Sequence, residues 1–210
     1  MFDTTTNTEP PSAEASIPAL TGTVNLQHTE AFDMIVRTAT IADAKYAFLI
    51  AAEMRASAIA RGTGIANRSP ESLMQKMESG HAVIALSKQG IWAGFSYIES
   101  WEGGAFVSNS GMIVNPAFRE KGVAKAIKKN IFQLSRTLYP AAKIFSITTG
   151  AAIMKLNTAL GFEPVTYTQI TKDQRFWEKC KQCVNFSILE NKGYSNCLCT
   201  AMLYEPPVLS

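Results

Sequence analysis

The stretch from Gly111 to Ala124 carries the most chemistry in the chain: a strand-like run ends at Val114, a loop follows, and a helix begins near Gly122 and Ala124. Unpaired backbone N–H groups at a helix start form an electropositive cup, and residues as small as Gly122 and Ala124 let an anion approach the main chain. The chemistry is therefore diphosphate binding by backbone, which needs no reactive side chain. A glycine merely tolerated inside a helix would cost about 1 kcal/mol relative to alanine and would leave the basic cluster of Arg119, Lys121 and Lys125 without a purpose. A second cluster lies further on. All four cysteines of the chain fall together, as Cys180-x-x-Cys183 and Cys197-x-Cys199. Two thiolate pairs could supply the four ligands of a tetrahedral structural zinc. Free thiols packed beside a strand ending near Tyr204 are the competing reading, and disulfides or redox chemistry are further alternatives.

The elements that must position these groups follow from periodicity. Met34 to Arg37 reads as a first strand, and Tyr46, Leu49, Ile50 and Met54 recur at helical intervals within Ala42 to Ala60. Ser69 followed by Pro70 predicts an N-cap and first helical turn for a run ending before Gly80. Three strands are expected over 81–86, 91–100 and 105–114, joined by short glycine-bearing turns that favour antiparallel hairpins. A helix over 120–136 places Val123, Ile127, Ile131 and Leu134 on one face, with Lys121, Lys125, Lys128 and Lys129 assigned mostly to the surface. A strand at 143–149, a short helix at 151–160 stopped by Gly161, and a strand at 165–171 complete the order βααβββαβαβ.

That order and the loop resemble the GCN5-related N-acetyltransferases (GNAT family) over about residues 35–167. The family's pyrophosphate signature is Arg or Gln, two residues, Gly, one residue, then Gly or Ala, and Arg119, Gly122 and Ala124 stand at those places. The Gly161-Phe162 pair matches the family's usual helix ending. The resemblance implies an α/β fold with a mixed, mostly antiparallel sheet flanked by helices, here with a small cysteine-bearing C-terminal appendage. It implies acetyl-coenzyme A as cosubstrate, its diphosphate held by Arg119, Glu120, Lys121, Gly122, Val123 and Ala124 and its pantetheine arm paired with Met112, Ile113 and Val114. More narrowly, the segments ARGTGIA, AVIALSKQGIWAGFSYIE and FREKGVAKAIKK, with the cysteine-bearing tail, resemble bacterial acetyltransferases of arginine biosynthesis, the N-acetylglutamate synthase-like subfamily. Glutamate is then the expected acceptor.

In the family the acceptor amine attacks the thioester directly while a base takes its proton. Where relatives often carry that Glu, this chain has Ser108, and where they often carry a Tyr acid beside the thiol it has Asn157. The expected base is instead Glu99, acting through water held by Asn109 or Ser110, although a solvated Glu at a hairpin end fits the same position. Arg61 and Arg68, in the loop between the first two helices, are expected to bind an acceptor carboxylate, or are surface arginines. A succinyl donor and a non-catalytic acyl-coenzyme A sensor are the alternatives.

Composition agrees with an ordinary globular protein: 210 residues, 47% apolar and 18% charged. Residues 1–33 hold five acids and no Lys or Arg, a predicted flexible acidic tail. Residues 34–171 are then the acetyltransferase domain and 172–210 the extension with the cysteines. No dense basic tract marks a nucleic-acid groove, and no apolar run approaches the roughly 20 residues that cross a bilayer. Met1-Phe2-Asp3 opens without a basic n-region or an apolar h-region. The expected location is cytoplasmic, with a homodimer compatible with the sequence.

Overall fold

The computed structural model describes residues 34–62, 68–183 and 185–207. The predicted acidic tail and most of the Arg61–Arg68 loop lie outside them. Strand β1 (Met34–Thr38) leads into a 3-10 turn at Ile41–Tyr46, then α1 (Ala47–Arg61) and α2 (Pro70–Glu78). Arg37 donates two hydrogen bonds to Asp43, at 2.7 and 2.9 Å, and Asp43 accepts from the Thr40 amide, so the entry to α1 is capped and tied to the strand before it. Ser69 caps α2 as its sequence predicts, its hydroxyl accepting from the Ser72 amide at 3.2 Å.

Strands β2 (Ala82–Ser87), β3 (Trp92–Trp101) and β4 (Phe106–Val114) form the antiparallel centre. Then come α3 (Val123–Leu138), β5 (Lys143–Thr148), α4 (Ala151–Thr158), β6 (Glu163–Val165), α5 (Gln174–Cys180), α6 (Phe186–Asn191) and β7 (Thr200–Tyr204). The seven strands lie in the order β1-β2-β3-β4-β5-β7-β6, and among them β4 and β5 alone run parallel. Helix α3 is the crossover that this parallel pair requires.

Strand alternation sorts the core into two layers. Ile84, Phe95 and Tyr97 meet Ile50, Met54, Leu73 and Met77 of α1 and α2, while Val83, Ile98 and Val107 face Val123, Ile127 and Ile131 of α3. One of the lysines assigned to the solvent side of α3 is not there: Lys128 is 2% exposed. It sits beside Ile127 and Ile131 on a buried stripe wider than the four-residue repeat indicates.

The predicted strand at 165–171 is also corrected. Strand β6 ends at Val165, and Tyr167–Gln169 is a 3-10 turn. Pro164 restricts β6 to the sheet edge, and Thr166 turns the chain locally by bonding Thr168 at 2.8 Å and Gln169 at 3.1 Å. The place beside β5 goes instead to β7, which pairs with both β5 and β6. The cysteine-bearing segment thus contributes an interior strand, and α5 and α6 pack Phe176, Trp177 and Leu189 around Trp101, Phe145 and Leu203.

Candidate active site

The ladder between β4 and β5 is short. It joins Phe106 to Lys143, Val107 to Ile144 and Ser108 to Phe145, and no pairing follows although both strands continue. Beyond Ser108 the strands are therefore split. On its other side β4 bulges: Phe95 faces Ile113 and Tyr97 faces Ser110, so Gly111 and Met112 stand against the single Ser96. The main chain at 111–112 is outside both ladders at the place where the sheet opens.

Gly111 holds φ +64°, and a β-carbon there would lie 2.3 Å from the Tyr97 ring and 3.2 Å from the Met54 methyl. Gly111→Ala is expected to cost about 2 kcal/mol or more through left-handed strain and overpacking, lowering the unfolding midpoint by about 4 °C or more. An unchanged midpoint in thermal unfolding would show that the bulge does not depend on glycine.

At the other end of the loop, Gly122 is the N-cap of α3 at φ +78°, and Glu120 is left-handed as well. A β-carbon on Gly122 would meet nothing within 4 Å, so in the unliganded protein its backbone conformation, not crowding, calls for glycine. The amides of Val123, Ala124 and Lys125 head the helix and have no intrahelical acceptor. Arg119 stands differently from its neighbours. Its amide already bonds the Pro116 carbonyl at 3.3 Å, and its guanidinium donates to Glu53 of α1 at 3.0 Å.

Two cavities meet at the split. One runs between α1 and the end of β4, bounded by Glu53, Val114, Pro116, Arg119 and Ala124. The other extends from the split towards α5 and α6 and includes Arg68, Glu99 and all four cysteines. Arg61, Met112 and Ile153 border both, so the two form a continuous passage across the opened sheet.

Glu99 lies on β3 opposite Ser108, the last paired position before the split. Its side chain is 12% exposed and accepts from Lys179 at 2.5 Å and from Lys76 at 3.1 Å. Burial raises its pKa, but the Lys179 hydrogen bond and the two ammonium charges outweigh that and hold it below the usual carboxylate range. Lys179 comes from 80 residues further along the chain and lies 4.8 Å from the Trp101 ring centre. Nothing local in the sequence connects it with Glu99.

The expected water-holding pair divides. Ser110 donates to the Ser108 hydroxyl at 3.2 Å on the Glu99 side. Asn109 turns its side chain the other way, donating to Ser135 at 2.8 Å and accepting from Lys128 at 3.3 Å. Asn157 lies off both cavities: it is fully buried, its amide nitrogen 3.5 Å from the Met202 sulfur and its Oδ1 without a partner among the described residues. Arg61 is exposed and donates to the Ser57 carbonyl at 3.0 Å, whereas Arg68 stacks 5.0 Å from the Tyr97 ring centre with its Nε buried and without a partner among the described residues.

The zinc site expected from the cysteine spacing is not formed. Among the described residues no three His, Cys, Asp or Glu side chains group as metal ligands. The Cys199 carbonyl accepts from the Tyr167 hydroxyl at 2.9 Å and the Cys183 sulfur accepts from the Asn185 amide at 3.4 Å, and all four cysteines line one cavity. Burial and then the neighbouring thiols push Cys180 up to about 11 and Cys199 up to about 12, so both are protonated at neutral pH.

No family model and no curated protein matches the chain, but solved structures do. N-acetylglutamate synthase from Neisseria gonorrhoeae, complexed with coenzyme A and N-acetyl-glutamate, superposes with a TM-score of 0.58 at 14% identity over 82% of this chain and 35% of that one. Rv2747 from Mycobacterium tuberculosis, also in complex with coenzyme A, gives 0.57 at 19% identity over 83% and 99%. A phosphinothricin acetyltransferase of the GNAT superfamily from Sinorhizobium meliloti, complexed with acetyl-coenzyme A, gives 0.55 at 18% over 82% and 88%. The chain has the GNAT fold. It spans about 35% of the length of the gonococcal synthase, so the likeness concerns one portion of that enzyme.

Within the GNAT fold of this chain, the Gly111–Met112 bulge, the head of α3 and the Glu99 position were all marked by sequence features: a glycine in a strand, a glycine before a helix, a charged strand end. Lys179, Lys76 and the orientation of Asn109 carried no such mark. The two lysines follow from how α5 and α2 pack against the far end of β3, and Asn109 from the packing of α3.

Proposed function

We propose that the protein transfers an acetyl group from acetyl-coenzyme A to the α-amine of a small amino acid. The observation that carries this reading is the opened sheet: two cavities that meet at the unladdered main chain of Gly111 and Met112, one of them reaching the head of α3. The diphosphate would lie at the amides of Val123 to Lys125, with Arg119 released from Glu53 to join it, and the pantetheine arm along Met112 to Val114. Coenzyme A complexes of proteins sharing the fold support this path.

The acceptor amine attacks the thioester carbon, a carbon–nitrogen bond forms, and the tetrahedral oxyanion is stabilised by amides of the bulge. The carbon–sulfur bond then breaks and the thiolate leaves with the electron pair. Asn157 does not reach the cavities, so the thiolate takes up, through water, the proton that the attacking nitrogen sheds as the intermediate collapses. Glu99 attracts the acceptor ammonium in place of Lys179 and receives its proton through water near Ser110. Approach and alignment contribute much of the acceleration. Glutamate is the acceptor expected from the arginine-biosynthesis resemblance, and Arg68 supplies a cation for its α-carboxylate.

The missing thiol-side acid favours a second reading, an acyl-coenzyme A binder without turnover. Free-thiol release decides between them. Transfer predicts coenzyme A release above hydrolytic background with at least one amino acid, and binding of acetyl-coenzyme A with no release across amino acids, polyamines and peptides would establish the binder. The same assay run with succinyl-coenzyme A assigns the donor.

A further inference from the structure

The acceptor end of the passage is built for one carboxylate and an apolar body. Among the described residues four groups of cationic or anionic character reach it: Arg61, Arg68, Glu99 and Lys179. Glu99 accepts from both Lys179 and Lys76, so the cluster keeps one net positive charge, carried by ammoniums that are already engaged by the Glu99 carboxylate. Arg61 is exposed at the rim, where its Nε serves the Ser57 carbonyl. This leaves Arg68, which lines the space and whose buried Nε has no partner among the described residues. A buried donor left unmatched is destabilising, and a carboxylate arriving with the substrate relieves that cost.

Past Arg68 the wall changes character. Phe145, Ile147, Phe176, Phe186 and Leu189 line the space together with the cysteine sulfurs. Phe145 and Leu189 are at most 2% exposed, and Phe176 stands edge-on to both Phe145 and Trp101 at 5.1 and 5.4 Å. A second carboxylate lying among these rings would lose its hydration, and Lys179, the cavity's ammonium among the described residues, is already engaged by Glu99. An aromatic or branched aliphatic side chain would instead exchange water for ring edges and sulfur.

We infer that the preferred acceptor is an α-amino acid with a bulky apolar side chain, its carboxylate on Arg68 and its side chain between Phe145, Phe176 and Phe186, rather than glutamate. The inference rests on the acetyl-transfer reading above. Chemically it places the enzyme after a reaction that delivers a free apolar amino acid or a close analogue, and the product is its N-acetyl derivative.

The test is coenzyme A release by the full chain with phenylalanine, leucine, methionine, glutamine and glutamate, and with phenethylamine as the counterpart lacking the carboxylate. The expected kcat/KM for phenylalanine, leucine or methionine exceeds that for glutamate by about tenfold or more, and phenethylamine falls about tenfold below phenylalanine. Arg68→Gln, at a partly exposed position, is expected to raise the KM of the amino acid about tenfold while the KM of acetyl-coenzyme A stays unchanged. A preference for glutamate, a polyamine or a peptide overturns the inference and leaves acetyl transfer standing. Release with no acceptor at all overturns both.

Discussion

Glu99→Gln is expected to lower kcat for coenzyme A release by about two orders of magnitude while leaving the KM of acetyl-coenzyme A unchanged. The substitution keeps the shape of the side chain and removes its ability to accept a proton. The path proposed for the carrier along Met112 to Val114 is bordered by other residues, which is why its KM should not move. Glu99 also holds Lys179 and Lys76, so a loss of stability must be separated from a loss of chemistry. The pH dependence does so. A carboxylate held below its ordinary pKa in the folded state stabilises fully above the unfolded value and loses that contribution as pH falls through the folded one. Unfolding midpoints of Glu99→Gln and the parent should therefore differ at neutral pH and converge in acid. Lys179→Met provides the complementary variant: it removes the strongest influence lowering the Glu99 pKa, so the acid limb of kcat/KM should move to higher pH with turnover largely retained. If Lys179→Met loses as much turnover as Glu99→Gln, the cluster is a clamp between β3 and α5 and the base lies elsewhere.

Lys128→Met is expected to stabilise the protein below pH 7 and to destabilise it near pH 10. Lys128 is 2% exposed, over the face of Phe162 at 5.1 Å, with Asn109 Oδ1 at 3.3 Å as its hydrogen-bond partner and no carboxylate paired to it among the described residues. Burial pushes its pKa down from 10.5 to about 7, which corresponds to about 5 kcal/mol of penalty on the charged form. Between those two values the unfolded chain binds the extra proton, so stability rises with pH across that window, and below about pH 7 the full penalty is present. Methionine removes the penalty but leaves Asn109 Oδ1 unsatisfied, at about 1–3 kcal/mol whatever the pH. The first effect is larger in acid and vanishes at high pH, while the second persists, so the difference between variant and parent changes sign. Denaturant unfolding at pH 6 and pH 10 reads it directly, and a difference independent of pH would mean that the lysine is not buried as a neutral amine.

Most of the elements were legible because their causes are local. The Ser69 cap with Pro70, the alternation through β2 to β4, the glycine before α3 and the four-residue repeat of Val123, Ile127 and Ile131 each depend on neighbours within a turn or a hairpin. The left-handed start of α3 at Gly122, where the diphosphate is proposed to lie, is of the same kind. The strand expected at 165–171 failed for a related reason: its β-branched residues favour extension, but β7 arrives from 35 residues later and takes the place beside β5.

The working part of the site belongs to the tertiary structure. Whether β4 and β5 part after Ser108, whether Lys179 reaches Glu99, and whether Asn109 faces the cleft or Lys128 are decided by sheet register and by the packing of α5 and α3, both long-range contacts that no spacing along the chain encodes. The same holds for the cysteines: their clustering is plain in the sequence, yet that they line one cavity beside α5 and α6 without three of them grouping as metal ligands is a matter of tertiary packing.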